Sequence, residues 1–245
     1  MLNMTYPFHR FEEFGKLSAA EMDAFRMLAG VSREVPRGRT IRDEGVPSDS
    51  FFFLVSGWVA SSHVVRNGGR QIMEIHLPGD VLGSSSLSME KTAEHLGAIT
   101  DVQVAEVRLS QFGQIFIDHP RLAALFMLHS QSERTALMDR LVCLGRKTAE
   151  QRIAAFLCDL LERLALLGLV KDDSFELVLT QEQIGDILGL TGVHVNRVTR
   201  RFADLGLLER RGKRLHILDR AKLASVGMHL PRQRLVNPHW LPATY

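Results

Sequence analysis

The sequence predicts an α+β protein in three parts: an all-β barrel or sandwich, a long helix, and a helix-turn-helix followed by a hairpin. Three observations predict it. Between Val31 and Val107, short apolar runs alternate with Gly, Pro, Asn and Asp at the spacing of about 8–12 residues that marks small all-β domains. From Pro120 to Leu144 no Gly or Pro interrupts a helical pattern. From Thr180 to Arg201 the chain reads as two helices joined by a tight turn.

The elements follow in order. Residues 17–29 form a short amphipathic helix, begun by Ser18 with Glu21 three residues on, a capping box. Turns fall at Pro36-Arg37-Gly38, at Pro78-Gly79-Asp80, and at Asn67-Gly68-Gly69, which reads as a hairpin. In the long helix, Leu122, Leu125, Leu128, Leu137, Leu141 and Leu144 are spaced for packing. A long helix beside a small barrel invites pairing with its own copy; the alternative is packing on its own domain. Gly145 marks a hinge. Residues 148–167 form another helix with Ile153, Leu157, Leu160, Leu161 and Leu164 inward, and Phe175 to Leu179 is a short strand.

The segment from Thr180 to Arg201 carries the most information. Thr180 caps the first helix and Gln183 completes a capping box, with Gln181 in the first turn. Ile184, Ile187 and Leu188 make one apolar stripe, Gly189 ends the helix, and Leu190 fills the corner. Thr191 caps the second helix. At about 100° per residue, Val195, Val198, Phe202 and Leu205 fall together and face inward. Val193, Asn196, Arg197, Arg200 and Asp204 face outward, flanked by His194 and Arg201.

Arg forks onto guanine, Asn pairs with adenine, and an apolar group touches a thymine methyl. Such helices read bases with their N-terminal residues, which selects Gly192, Val193, Asn196 and Arg197. Arg200 and Arg201 are placed for phosphates. After Gly206 the run Leu207 to Leu218 reads as a hairpin with Gly212 at its tip, a wing carrying Arg210, Arg211, Lys213 and Arg214. Residues 192–216 hold seven Arg or Lys against two Asp or Glu, net +5 in a chain of net +2, so the remainder sums to −3. Charge concentrated on one small module is the footprint of a nucleic-acid binder; the competing reading is a solvated basic helix face.

Composition bounds the rest. With 45% hydrophobic and 24% charged residues in 245, the chain is an ordinary globular protein of one large or two small domains. It shows no apolar run near the length of a membrane span and no secretory signal, so it is expected in the cytoplasm, away from membranes. Two cysteines, Cys143 and Cys158, are too few for a disulfide framework or an iron–sulfur cluster. No cofactor is expected.

The order barrel, long helix, hinge, helix, strand, helix-turn-helix and wing resembles the Crp/Fnr family of bacterial transcription regulators, over roughly residues 10–225. Gly57-Trp58-Val59, Leu77-Pro78-Gly79-Asp80 and Leu179 through Arg201 carry the resemblance. It implies a β-barrel of cyclic-nucleotide-binding type over 10–118, a dimerisation helix and hinge over 119–145, a winged helix-turn-helix over 146–225, and a tail over 226–245 beyond the family core. It also implies a homodimer on a near-palindromic site in double-stranded DNA, with RNA polymerase as a further partner. Gly192, Val193 and Arg197 match the family's base-reading positions. Only Arg197 keeps the usual residue, so the usual half-site is not carried over.

The sensor departs further from the pattern. Cyclic-AMP binders of the family use Gly-Glu for the ribose and Arg-Ser or Arg-Thr for the phosphate. Here Ser84 follows Gly83, and no Arg occurs between Arg70 and Arg108. Lys91 and Thr92 are a stand-in for the phosphate site, and Gly83, Ser84 and Ser85 line the remaining candidate pocket; the alternatives are an exposed lysine and a serine turn. His63, His76 and His95 are the available haem ligands, with no spacing that selects one. Cys143 near the helix end is either a redox thiol or a buried small hydrophobe. The effector is unassigned.

Two other functions compete. An enzyme is disfavoured, since no GxSxG, HExxH, P-loop or GxGxxG motif occurs. A cyclic-nucleotide-type regulatory protein acting on a protein partner is countered by the basic module. The segment Gly227 to Tyr245 either packs on the barrel or a partner or stays disordered.

Overall fold

The computed structural model describes residues 8–66 and 68–243. The chain forms two compact units: Met1–His63, Met73–Ala136 and Arg234–Tyr245 in the first, Val64–Ile72 and Leu137–Gln233 in the second.

The first unit begins with helices α1 (His9–Glu12) and α2 (Ala19–Leu28). Ser18 Oγ accepts from the Glu21 N–H, and a Glu21 carboxylate oxygen accepts from the Ser18 N–H, so the expected capping box starts α2. Strands β1 (Ser32–Val35), β2 (Thr40–Arg42), β3 (Ser50–Ser56), β4 (Val59–Val64), β5 (Arg70–His76), β6 (Val81–Leu82), β7 (His95–Ala98) and β8 (Val102–Arg108) follow. They build two four-stranded sheets, ordered β1-β8-β3-β6 and β2-β7-β4-β5. β4 and β5 are neighbours, with Gly68 at φ 84°; Asn67 of the expected hairpin turn lies outside the described residues.

Strand β3 explains how the core is layered. Successive side chains alternate faces. Phe52 and Leu54 join Val35, Ile41, Val59, Leu82, Leu96 and Val104 in one core. Phe51 and Phe53 point the other way, into a second core with Phe11, Phe25, Leu122, Leu125 and Phe126 from the helices. Both faces are buried, so the strand reads as an unbroken apolar run. Phe11 and Phe25 approach to 4.6 Å between ring centroids, and Phe25 and Phe126 to 5.3 Å. Each such fully buried ring contributes roughly 1.5–3 kcal/mol over its exposed state. Leu241 packs on the same core and the Asn237 N–H donates to Phe14 O, so the tail ends on this unit.

After α3 (Leu109–Asp118), helix α4 runs Pro120–Arg146 and passes through Gly145 without a break. The interruption comes at Lys147, because Thr148 caps α5 (Ala149–Leu166) with a capping box to Gln151. The second unit continues with β9 (Ser174–Glu176), α6 (Gln181–Leu188), α7 (Gly192–Asp204), β10 (Leu208–Arg211), β11 (Arg214–Ile217) and α8 (Arg220–Gly227). Its sheet order is β10-β11-β9. The expected strand from Phe175 to Leu179 is shorter, ending at Glu176. Leu157, Leu161, Phe175, Ile184, Val195, Phe202 and Leu215 are buried at the centre. No helix among the described residues is long and apolar enough to cross a membrane.

Candidate nucleic-acid interface

Local chemistry builds the helix pair. Thr180 Oγ1 accepts from the Gln183 N–H at 3.1 Å, and Gln183 Oε1 accepts from the Thr180 N–H at 2.9 Å. Gly189 ends α6 at φ 64°, ψ 40°. The Leu190 N–H then reaches back to Gly185 O. A Cβ on Gly185 would fall 2.4 Å from Leu190 O, so only glycine lets the corner close this tightly. Gly185 was not singled out from sequence, where a helical glycine carries no sign of the chain that will cross it. Thr191 Oγ1 accepts from the His194 N–H and starts α7.

Helix α7 buries Val195, Val198 and Phe202 and presents its other face. Leu205, expected inward, is 52% exposed: the helix ends at Asp204, and the buried position passes to Leu207. Val193 stands 81% exposed in the first turn beside half-buried Gly192. Asn196 Nδ2 donates to Gln181 Oε1 at 2.9 Å, so the two amides, one from each helix, hold each other. The Asn196 carbonyl and second N–H remain for a base. Arg197 Nη2 lies 2.6 Å from His194 Nε2. For Arg to donate there, that nitrogen must be the unprotonated acceptor of a neutral imidazole.

The cations divide by partner. Arg201 pairs with Glu150 of α5. Arg211 pairs with Glu209, and Arg214 donates to Ser174 O and Oγ on β9. Arg210 donates only to Gly212 O. Among the described residues, Arg200 and Lys213 have no side-chain partner. In the wing, Arg211 and Arg214 are paired across the turn and Gly212 has φ 62°, placing exposed Lys213 at the tip. The structure thus brings Gln181, Asn196, His194 and Arg197 into two bonded pairs and leaves Arg200 and Lys213 free.

The sensor candidates are less uniform. Gly83 has φ 78°, and Ser84–Ser86 form a single 3-10 turn. Ser84 Oγ donates to Glu133 at 3.4 Å, and Ser85 Oγ to Glu94 at 2.6 Å. Lys91 is exposed. Thr92 is buried, donating to Asp43 O and accepting from the Val46 N–H, so its hydroxyl already serves the fold. The cation at this loop is Arg42 from β2, whose Nη2 donates to Gly83 O. It was missed because a motif search looks along the segment after Gly83, whereas this guanidinium arrives from 41 residues upstream. His63, His76 and His95 contact Glu44, Ser61 and Asp43 respectively. Burial pushes the Cys143 thiol up and that of Cys158 up to about 11, which makes both poor thiolate nucleophiles.

A sensor-type double sheet, a long helix and a winged helix-turn-helix with a cationic outer face define a DNA-binding regulator. Comparison with known proteins agrees. Residues 32–119 match the cyclic nucleotide-binding domain family and residues 151–226 the Crp-like helix-turn-helix domain family. The chain is 30% identical over 211 residues to the transcriptional activator protein FnrA of Stutzerimonas stutzeri, covering 86% of each. It is 29% identical over 207 residues to electron transport regulator A of Shewanella oneidensis, covering 84% of this chain and 82% of that one. The solved structure of FixK2 from Bradyrhizobium japonicum superposes with a TM-score of 0.74 at 28% identity, covering 80% of this chain and 96% of that one. The chain belongs to the Crp/Fnr family of transcription regulators and is a DNA-binding transcriptional regulator.

Proposed function

We propose that the protein acts as a homodimer in the cytoplasm, reads a near-palindromic DNA site through Gly192, Val193, Asn196 and Arg197, and contacts RNA polymerase from that site. Arg200 and Lys213 supply phosphate contacts; Arg201, tied to Glu150, joins them only by leaving that pair. The observation that carries the reading is the pairing of a free cationic face on α7 with an exposed apolar stripe on α4. Leu137, Met138, Leu141 and Val142 are all solvent-exposed, at the spacing of a helix seam. Two copies joined there would offer two recognition helices, which matches half-sites about one helical turn apart. Thr180 and Gln181 begin α6 and orient Asn196, so they support the reading face.

Duplex binding titrated against salt tests this. Log affinity is expected to fall linearly with log salt, by about 0.9 per phosphate contacted. Tight nucleotide binding with no duplex affinity at low salt would instead favour a regulator acting on a protein partner.

A further inference from the structure

Arg42 is 8% exposed, and its guanidinium carbon lies 5.6 Å from the Phe52 ring centroid. Nη1 donates to Ser50 O at 2.7 Å and Ser48 Oγ at 3.1 Å, and Nη2 to Gly83 O at 3.4 Å. Nε is buried without a hydrogen-bond partner. Among the described residues no carboxylate forms an ion pair with it, and burial lowers its pKa against the pull of Glu94 and Glu106. The loop is shaped around this cation. A Cβ on Gly83 would fall 2.0 Å from Nη2, so glycine is required there for packing as well as for its positive φ. The next residue, Ser84, donates to Glu133 on α4.

The charges around the loop argue against an entering phosphate. Glu94 accepts from Ser85 and Glu106 from Ser50, both at 2.6 Å, and Glu133 lies at Ser84. An anion would meet three carboxylates and one cation already bonded to carbonyls. Removing its water there costs more than a single occupied guanidinium returns. A planar fork that reaches β3 and the Gly83 loop at once does mechanically what a bound ligand does: it fixes the loop against the long helix.

We propose that Arg42 is the built-in ligand of the sensor, holding the Gly83–Ser84 loop on α4 so that the protein binds its operator with no cyclic nucleotide. This rests on the reading of the chain as a dimeric DNA binder. The test uses the full chain, with calorimetry for cyclic AMP and cyclic GMP and duplex titration for Arg42→Met, Gly83→Ala and Ser84→Ala. Wild-type protein takes up neither nucleotide, and neither changes its operator affinity. Arg42→Met and Gly83→Ala each weaken operator binding about tenfold, while non-specific duplex binding holds. Ser84→Ala, which removes only the hydroxyl bond to α4, weakens it in the same sense and covers the case in which the buried variants fail to fold.

Saturable nucleotide uptake by the wild type overturns the proposal whether or not DNA binds. Wild-type operator affinity in Arg42→Met or in Ser84→Ala overturns the lock. Loss of non-specific binding in proportion to specific binding also overturns it, since that is general unfolding. A wild type that takes up no nucleotide and selects no operator refutes constitutive operator binding, and with it the proposal; steep salt-dependent duplex binding by that same protein would spare the reading as a DNA binder.

Discussion

Arg197 and His194 meet on the outer face of α7, and their contact sets what each does when DNA arrives. A guanidinium held at 2.6 Å from a neutral imidazole nitrogen is oriented before binding, with its remaining N–H groups directed outward. Arg197→Ala should weaken specific binding by about 1–3 kcal/mol and relax one base position in a binding-site selection; equal weakening on all sequences would make Arg197 a phosphate contact. Lys213, exposed at the wing tip, should behave in the opposite way. Lys213→Ala is expected to lower affinity uniformly and reduce the salt slope by about one contact, and an unchanged slope would remove the wing from the interface. The caps at Thr180 and Thr191 were legible in sequence because their partners lie three residues away. The fates of Arg201 and Arg214 were not, since Glu150 and Ser174 lie 51 and 40 residues off in the chain. Arg42 escaped for the same reason.

At the scale of elements, helix α6 and its corner depend on two small features. Thr180→Ala removes the side-chain acceptor for the Gln183 N–H and should lower the stability of the second unit by about 0.5–2 kcal/mol, read as a shift in its urea midpoint. Gly185→Ala should do more, because the added carbon meets a backbone oxygen at 2.4 Å and the corner must open. Its expected signature is loss of sequence preference with duplex affinity retained; unchanged preference would show the corner to be slack. Helices and the β region were legible because their periods and turn residues are local properties. Helix ends were less so: α4 crosses Gly145, an exposed glycine with open space around it, and Leu205 is left in solvent one residue after α7 ends. The layering of β3 was hidden because a strand buried on both faces shows no alternation.

For the whole molecule, the account joins the DNA-reading face to a second copy through the far end of α4. The apolar exposure at Leu137, Met138, Leu141 and Val142 is where that copy would seat. Leu141→Asp puts a charge in the seam and should convert dimer to monomer by sedimentation, with operator affinity falling more than non-specific affinity. A dimer that survives this change would place the seam elsewhere. The most direct test of the central claim is selection of bound duplexes from a genomic DNA pool by the purified protein with no ligand added. A near-palindromic motif, with half-sites about one helical turn apart, is the predicted result. A folded dimer that enriches no sequence, or only a single half-site, would contradict it.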